Sequence, residues 1–294
     1  MIRKILVSVT LLLAAMSLRG QSVSFVNMPD NARRLAQGGT DVSYSVSRLP
    51  ERGYSGSVEA TFFMWDPGAL NLYMLDGYAR LGERLALSAK GRLHSIKSYV
   101  EMDGNGNLGK TFNPSEYLVG VGLHYRVGNN ISLLGQVNLI SSKLATNFTG
   151  QTVAADIGVA YDMNDISFAL TARNLGPDLK YAGSAHSNLP MVVMLGAEKI
   201  FGINGNGLDV AVDAGYMPLH SCFVAKVGAS FSIHYLVDIM AGYHFGGNDA
   251  VEPSYATVGL GLNLSVFELS AAYIISSSSW VPRNSLAFTL GARF

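Results

Sequence analysis

The chain has 294 residues, of which 49% are hydrophobic and only 14% are charged, against roughly 25% charged residues in a typical soluble domain. Lysine plus arginine equals aspartate plus glutamate at 21 each, which excludes the strongly basic field of a nucleic-acid-binding protein. A neutral chain with so few charges must bury its apolar side chains or direct them towards something other than water.

The first twenty residues have the pattern of a secretory signal peptide. Residues 1–4 are basic at two positions, and residues 5–16 form an apolar run that is too short to span a bilayer as a helix. We therefore predict export and removal of residues 1–20, with a core helix as the weaker alternative. The single cysteine, Cys222, cannot form an internal disulfide, and we expect it to be a buried side chain.

Residues 21–55 lack the pattern of the rest of the chain. The adjacent glycines Gly38 and Gly39 predict a sharp turn, because glycine adopts backbone conformations that other residues avoid. We treat this region as a separate segment that precedes the strands.

From about residue 56 the chain alternates between apolar residues and small or polar residues. Side chains on a strand point alternately to its two faces, so each segment has one continuous apolar face. Segments of about ten alternating residues separated by turn residues are typical of transmembrane β-barrels. The clearest examples are residues 117–127, 153–161, 208–216, 223–232 and 256–264. Tyrosine and phenylalanine near segment ends would form interfacial girdles, as at Tyr125, Tyr161, Tyr216, Phe231 and Phe245.

About fourteen such segments are present, and an even number suits a closed barrel with no unpaired edge in lipid. They start near residues 57, 70, 84, 116, 130, 151, 165, 190, 207, 222, 235, 255, 266 and 284. The last segment ends the chain, with Leu286, Phe288, Leu290 and Ala292 on one face and Phe294 at the terminus. We predict that it pairs with the first strand. The alternative is a soluble β-sandwich, in which the apolar faces would pack on each other.

The order of several short motifs resembles the PorV/PorQ family of outer-membrane proteins. These motifs are "ARRLAQGG" at residues 32–39, "DPGAL" at 66–70, "ADIGVAY" at 155–161, "RNLGPD" at 173–178 and "NLPMVVMLG" at 188–196. The resemblance marks structural motif residues at Ala32, Arg33, Gly38, Gly39, Pro67, Asp156, Asn174, Gly176 and Pro190. "DPGAL" departs from the family pattern at two positions.

The resemblance implies a fourteen-stranded, fatty-acid-channel-like barrel (residues 56–294) with residues 21–55 as a plug in its lumen. It also implies a non-enzymatic component of the type IX secretion system in the outer membrane of a Bacteroidetes-type bacterium. Expected partners are outer-membrane lipid, other secretion or surface-attachment proteins, and secreted cargo, with no nucleic acid. A PorV-like and a PorQ-like role both remain open. The alternative function is a fatty-acid-channel-like transporter of hydrophobic solutes.

Eight charged residues fall on the face opposite the apolar one, where they would line the lumen. A lysine or arginine on the lipid face near the midplane would cost about 2–4 kcal/mol. The lumen candidates are Arg126, Arg173, Asp209, Asp213, Lys226, Asp238 and Glu268, together with the motif residue Asp156. We expect a hydrated lumen whose charges pair with Arg33, Arg34 and Arg48 of the plug.

The sequence contains no catalytic or cofactor motif. The six histidines lack metal-ligand spacing, and no Gly-x-Ser-x-Gly motif is present. Residues 103–110, "DGNGNLGK", are not an EF-hand loop because Leu108 and Pro114 occupy the sixth and twelfth positions. A looser calcium site at Asp103, Asn105 and Asn107 is the weaker alternative to a hairpin loop. We therefore predict no catalytic residues, no cofactor and no metal.

Overall fold

The computed structural model describes residues 24–47, 54–66, 70–102, 108–182, 185–248, 251–276 and 285–294. The predicted signal peptide, Arg48, Pro67 and the candidate calcium loop at residues 103–107 lie outside these residues. Their assignments therefore stay predictions.

Most of the described chain is antiparallel β-strand, as the alternating pattern predicts. The strands are β1 (Gly56–Asp66), β2 (Leu70–Arg80), β3 (Leu85–Ile96), β4 (Tyr99–Met102), β5 (Leu108–Phe112), β6 (Ser115–Val127), β7 (Ile131–Ala145), β8 (Phe148–Met163), β9 (Ile166–Leu175), β10 (Leu179–Lys180), β11 (His186–Ser187), β12 (Val192–Ile203), β13 (Asn206–Met217), β14 (Cys222–Ile233), β15 (Val237–Gly246), β16 (Tyr255–Leu264), β17 (Phe267–Ile275) and β18 (Leu286–Arg293).

Fourteen of these strands close into a barrel, which confirms the predicted fold and strand number. Each long strand pairs with the next long strand, and β18 pairs with β1 from Ser57↔Arg293 to Met64↔Leu286. The backbone N–H of Phe294 donates to the Gly56 carbonyl, so the terminal residue also belongs to the closing pair. The short strands β4, β5, β10 and β11 were not predicted.

The outer face of the barrel is apolar. In all five clear segments most residues of the apolar parity are exposed, as for Val121, Ile157 and Leu260, while the opposite parity faces inwards. The aromatic residues predicted for the girdles are also exposed on this face. A continuous apolar outer belt on a closed barrel requires hydrocarbon around it, and the soluble-sandwich alternative is wrong.

The two ends of the barrel differ in the length of their connections. At one end, tight turns join the strands, as at residues 128–130, 164–165 and 204–205, and the C-terminus lies there. At the other end most connections are longer, with sixteen residues between β9 and β12 and eighteen between β3 and β6. Short turns mark the periplasmic end of outer-membrane barrels and long loops the extracellular end, which orients this chain.

Residues 24–47 lie inside the barrel, and we call them the plug. They form a 3-10 turn (Ser24–Asn27) and two short helices, α1 (Ala32–Ala36) and α2 (Val42–Ser47). Asn31 caps α1 by accepting the N–H of Arg34. Gly38 and Gly39 follow α1 with φ of 71° and 82°, so the predicted sharp turn is present. In the described part of the chain, no helix is long and apolar enough to cross a membrane.

The hairpin of β4 and β5 extends the β3–β6 pair at the extracellular end. It rests on the tip of β7–β8, where the Tyr99 hydroxyl donates to the Leu144 carbonyl at 2.7 Å. The backbone N–H and the hydroxyl of Thr146 both donate to the Glu101 carboxylate at 2.8 Å. These two hydrogen bonds hold the pKa of the Glu101 carboxylate below its usual value.

The Glu101 anchor predicts a defined response to acid. Because the folded-state pKa is lowered, the anchor's contribution is complete above the unfolded value of about 4.3 and is lost as pH falls through the lower folded value. We expect unchanged amide protection of Thr146 between pH 8 and pH 5, and loss of protection at more acidic pH. Hydrogen exchange measured across this range checks it. In Glu101→Gln, the acid step should disappear; an identical step in that variant would contradict the assignment.

Candidate functional site

The plug rests on glycines of the barrel wall. A β-carbon on Gly242 would lie 2.1 Å from the Gly38 nitrogen, and one on Gly228 would lie 2.2 Å from the Gln37 carbonyl oxygen. A β-carbon on Gly259 would lie 2.4 Å from the Ala36 side chain. These three positions are adjacent on β14, β15 and β16, so the missing side chains form a depression that holds the end of α1.

Hydrogen bonds fix the plug at this depression. The Thr257 hydroxyl donates to the Ala36 carbonyl at 2.8 Å and accepts the N–H of Gly38 at 2.9 Å. The N–H of the motif residue Ala32 donates to the Thr289 hydroxyl at 2.8 Å. The plug backbone is therefore held at both ends of α1 by threonines of the wall.

Arg33 joins the plug to two of the predicted lumen acids. Its guanidinium binds both Asp238 and Glu268, and also donates to Asn263 at 3.0 Å. Asp238 is fully buried and accepts further hydrogen bonds from Ser232 and Asn263. The expected pairing of Arg33 with lumen acids is thus present in the structure.

Arg34 binds Glu198, an acidic residue that was not among the predicted lumen candidates. Its guanidinium is 3.0 Å from Glu198 and 4.0 Å from the ring centre of Tyr44. The lumen candidate Asp209 instead accepts a hydrogen bond from Gln37 at 3.1 Å. Glu198 shares the inward parity of Gly196, which is the signal that could have identified it.

Four charged groups surround the start of α2. Asp213 accepts the N–H groups of Asp41 and Val42 at 2.8 Å and 3.2 Å, and Lys226 donates to the Gly39 carbonyl at 3.0 Å. Arg173 binds the Asp41 carboxylate at 2.8 Å. Six of the seven lumen candidates contact the plug. Arg126 is the exception, because its guanidinium lies 3.9 Å from the carboxylate of Asp162 on the wall.

The remaining motif residues hold the start of the plug and the loop after β9. Asp156 accepts from Gln136, Asn138 and the N–H of Asn174. Asn174, at φ 56°, donates to Asn27 of the plug and to the Pro190 carbonyl. A β-carbon on Gly176 would lie 2.3 Å from the Val153 carbonyl oxygen. These residues have structural contacts; the structure assigns them no chemistry.

The interior is not hydrated throughout, which corrects the expectation of a wet lumen. At the extracellular half, apolar residues of the inner wall pack against the plug residues Phe25, Val26 and Leu35, next to a buried polar group of Glu116, His94 and Ser142. This apolar region includes the wall residues Phe63, Leu72, Met74, Leu118, Ile140 and Ile274. Alternation identified the inward face but did not show that its residues change from polar to apolar along the barrel axis.

A gap in strand pairing lies beside this apolar region. The pairing of β8 with β9 ends at Ala155↔Leu175, so residues 148–154 of β8 have no β9 partner. We call this gap the seam. It is covered by residues 176–182 and 185–191, which we call the strap and which pair with β8 only at Lys180↔Gln151. Leu179 and Leu189 of the strap are buried in the apolar region, and Tyr181 stacks on Phe148 at 4.3 Å.

A cavity of about 1000 Å³, lined by both polar and apolar surface, lies on the periplasmic side of the plug. Its roof includes Arg33, Arg34 and Tyr44, and its floor includes the turn residues Asn164 and Tyr235. Among the described residues, no group of three or more histidines, cysteines or acids is arranged to hold a metal ion. The expectation that the protein lacks catalytic residues and cofactors stays a prediction.

Neither a protein-family model nor a curated protein matches the chain. Solved structures do resemble it. The Ralstonia pickettii toluene transporter TbuX aligns with 92% of this chain and 100% of its own, at a TM-score of 0.63 and 10% identity. The monoaromatic hydrocarbon channel CymD aligns over 90% and 98%, at 0.57 and 11%. The Pseudomonas putida toluene transporter TodX aligns over 90% and 97%, at 0.55 and 11%.

At such low identity these similarities establish the fold and no more. The proposed PorV/PorQ resemblance receives no support from them and stays a prediction. The chain has the closed fourteen-stranded fold of outer-membrane β-barrels.

Proposed function

We propose that the protein is a channel for small hydrophobic solutes in the outer membrane of a Gram-negative bacterium. The observation that carries this proposal is the apolar cluster on the inner wall of the extracellular half, which includes Phe63, Leu72 and Ile140. A hydrated pore needs no such apolar cluster. For an apolar solute, leaving water for this region is favourable by about 25 cal/mol for each Å² buried. Similarity in fold to toluene transporters supports the same reading.

The seam provides the exit in this proposal. The plug is bound on the periplasmic side by ion pairs at Arg33 and Arg34, and the cavity beyond it is lined in part by the charged residues Asp162, Asp165 and Glu198. The strap, in contrast, pairs with β8 at a single position. Displacing the strap would connect the apolar region sideways with the hydrocarbon of the membrane.

Locking the strap tests this route. Gln151 and Lys180 face each other on antiparallel strands, at a spacing that suits a disulfide. In a Cys222→Ala background, we expect oxidised Gln151→Cys/Lys180→Cys to reduce uptake of radiolabelled toluene at least tenfold, with recovery on reduction. A matched disulfide at Val121→Cys/Val137→Cys, within the paired β6–β7 wall, should leave uptake unchanged. Equal uptake by locked and reduced strap variants would exclude the sideways exit.

A component of the type IX secretion machinery is the second candidate. The ordered motifs support it, and so does a plug bound to the wall from Ala32 to Val42, which suits a barrel that holds other proteins and conducts nothing. Affinity purification of the tagged protein from outer membranes tests this candidate. Reproducible recovery of secretion or surface-attachment proteins, with no toluene uptake, would favour it over the channel. Uptake without such partners would favour the channel.

A further inference from the structure

The hairpin of β4 and β5 lies against the outer side of the barrel at its extracellular rim. Lys143 shares the outward parity of Leu139 on β7, and its ammonium group lies 5.6 Å from the ring centre of Phe112 in β5. Because the Lys143 side chain points away from the lumen, this contact places Phe112 on the membrane side of the wall. The bonds of Tyr99 and Glu101 to the tip of β7–β8 hold the hairpin there.

The other face of this hairpin is apolar and exposed. Val100, Met102 and Leu108 are 46%, 65% and 75% exposed, and Met102 and Leu108 are directly paired. Exposing three adjacent apolar side chains to water is unfavourable, because burial of apolar surface is stabilising. At the rim of a membrane barrel, the outer leaflet lies beside them and can cover them.

Three lysines surround the same part of the rim. Lys110 lies on β5, Lys143 on β7 and Lys180 on the strap, and all three side chains are exposed. Lys143 and Lys180 lie on the two sides of β8, opposite Thr149 and Gln151, so their backbones are about 12 Å apart. The described acids beside them, Glu101 and Asp178, are hydrogen-bonded to Thr146 and Asn188 and keep their negative charge. The three lysines outnumber these two acids, which leaves a small net positive charge on this part of the rim, next to an apolar face.

We propose that this surface binds phosphate-bearing lipid headgroups of the outer leaflet. Lys110, Lys143 and Lys180 bind the phosphates, and Val100, Met102 and Leu108 contact the acyl chains below them. Lysines at a membrane surface contribute about 1 kcal/mol each towards anionic lipids, and their long side chains allow apolar contacts beneath the charge. The surface lies outside the lumen, so the inference is independent of the channel proposal.

Native mass spectrometry of the purified full-length barrel with added lipid A tests the proposal. We expect wild-type protein to retain bisphosphorylated lipid A and to bind a fully dephosphorylated form with the same acyl chains at least tenfold more weakly. The variant Lys110→Gln/Lys143→Gln/Lys180→Gln should bind the phosphorylated lipid on the order of 100-fold more weakly. The control Lys199→Gln removes a half-buried lysine near the periplasmic end and should change binding less than twofold.

A second variant separates the apolar contribution from the charges. Met102→Ser/Leu108→Ser should weaken binding of the phosphorylated and dephosphorylated lipids alike, by about tenfold. Unchanged lipid binding in the triple lysine variant would overturn the proposal. Binding of inorganic phosphate as tight as that of lipid A would also overturn it. So would the finding that these residues are needed to retain a protein partner and not to bind lipid. Heat-dependent migration on gels confirms that each variant is a folded barrel.

Discussion

Replacing Gly242 with alanine is expected to displace the plug while the barrel stays closed. The new β-carbon would lie 2.1 Å from the Gly38 nitrogen and 2.2 Å from the Gln37 carbonyl carbon, both backbone atoms. That backbone cannot easily yield, because Thr257 bonds to it on both sides of Gln37. We expect a loss of about 3 kcal/mol in plug binding, at the upper end of overpacking effects.

Two measurements report on the Gly242→Ala variant. Hydrogen exchange should rise at residues 32–42 and stay unchanged in β14–β16, and the conductance of reconstituted protein should increase. Gly202→Ala is the matched control, since Gly202 also faces the lumen and its β-carbon would meet only the Tyr235 hydroxyl, at 3.9 Å. Slow exchange throughout the plug of Gly242→Ala would show that the glycine depression does not hold it.

The second large effect concerns the ion pair between the plug and the wall. Asp238→Asn should reduce the stability of the plug by about 3 kcal/mol, because Arg33 would lose one of its two anionic partners in a buried site. Arg33→Gln should have a similar effect, since it leaves Asp238 buried without its cation. The double variant should cost less than the sum of the two, because the buried charge of Asp238 is gone and Glu268 still pairs with Arg293 at 2.7 Å.

The ion pair of Arg126 and Asp162, both on the barrel wall, is the control for the variants of Arg33 and Asp238. Arg126 lies 3.9 Å from Asp162 and is about one third exposed, so Arg126→Gln should change stability by less than 1 kcal/mol. Denaturant-dependent proteolysis of the plug measures all four variants. Strict additivity of Arg33→Gln and Asp238→Asn would mean that the two side chains do not stabilise the plug together.

The barrel itself was predictable from local pattern. Period-two alternation identified fourteen strands, their inward and outward faces, and the pairing of the last strand with the first. This works because neighbouring side chains of a strand point to opposite faces, and a membrane barrel places hydrocarbon against one of them. The small residues at Gly228, Gly242 and Gly259 were also on the predicted inner face, although nothing local showed what would pack on them.

The alternating pattern does not specify how far along the barrel axis a residue lies, or which residue it meets across the lumen. It therefore indicated that Asp238 and Glu268 face inwards, but their joint contact with Arg33 depends on residues more than 200 positions away. For the same reason Glu198 was missed, and the apolar extracellular half was expected to be wet. Period and composition are properties of a few adjacent residues, so they determine the strands and their faces. The location of the plug, the seam and the rim hairpin depends on how distant strands are brought together, and only the closed barrel decides it.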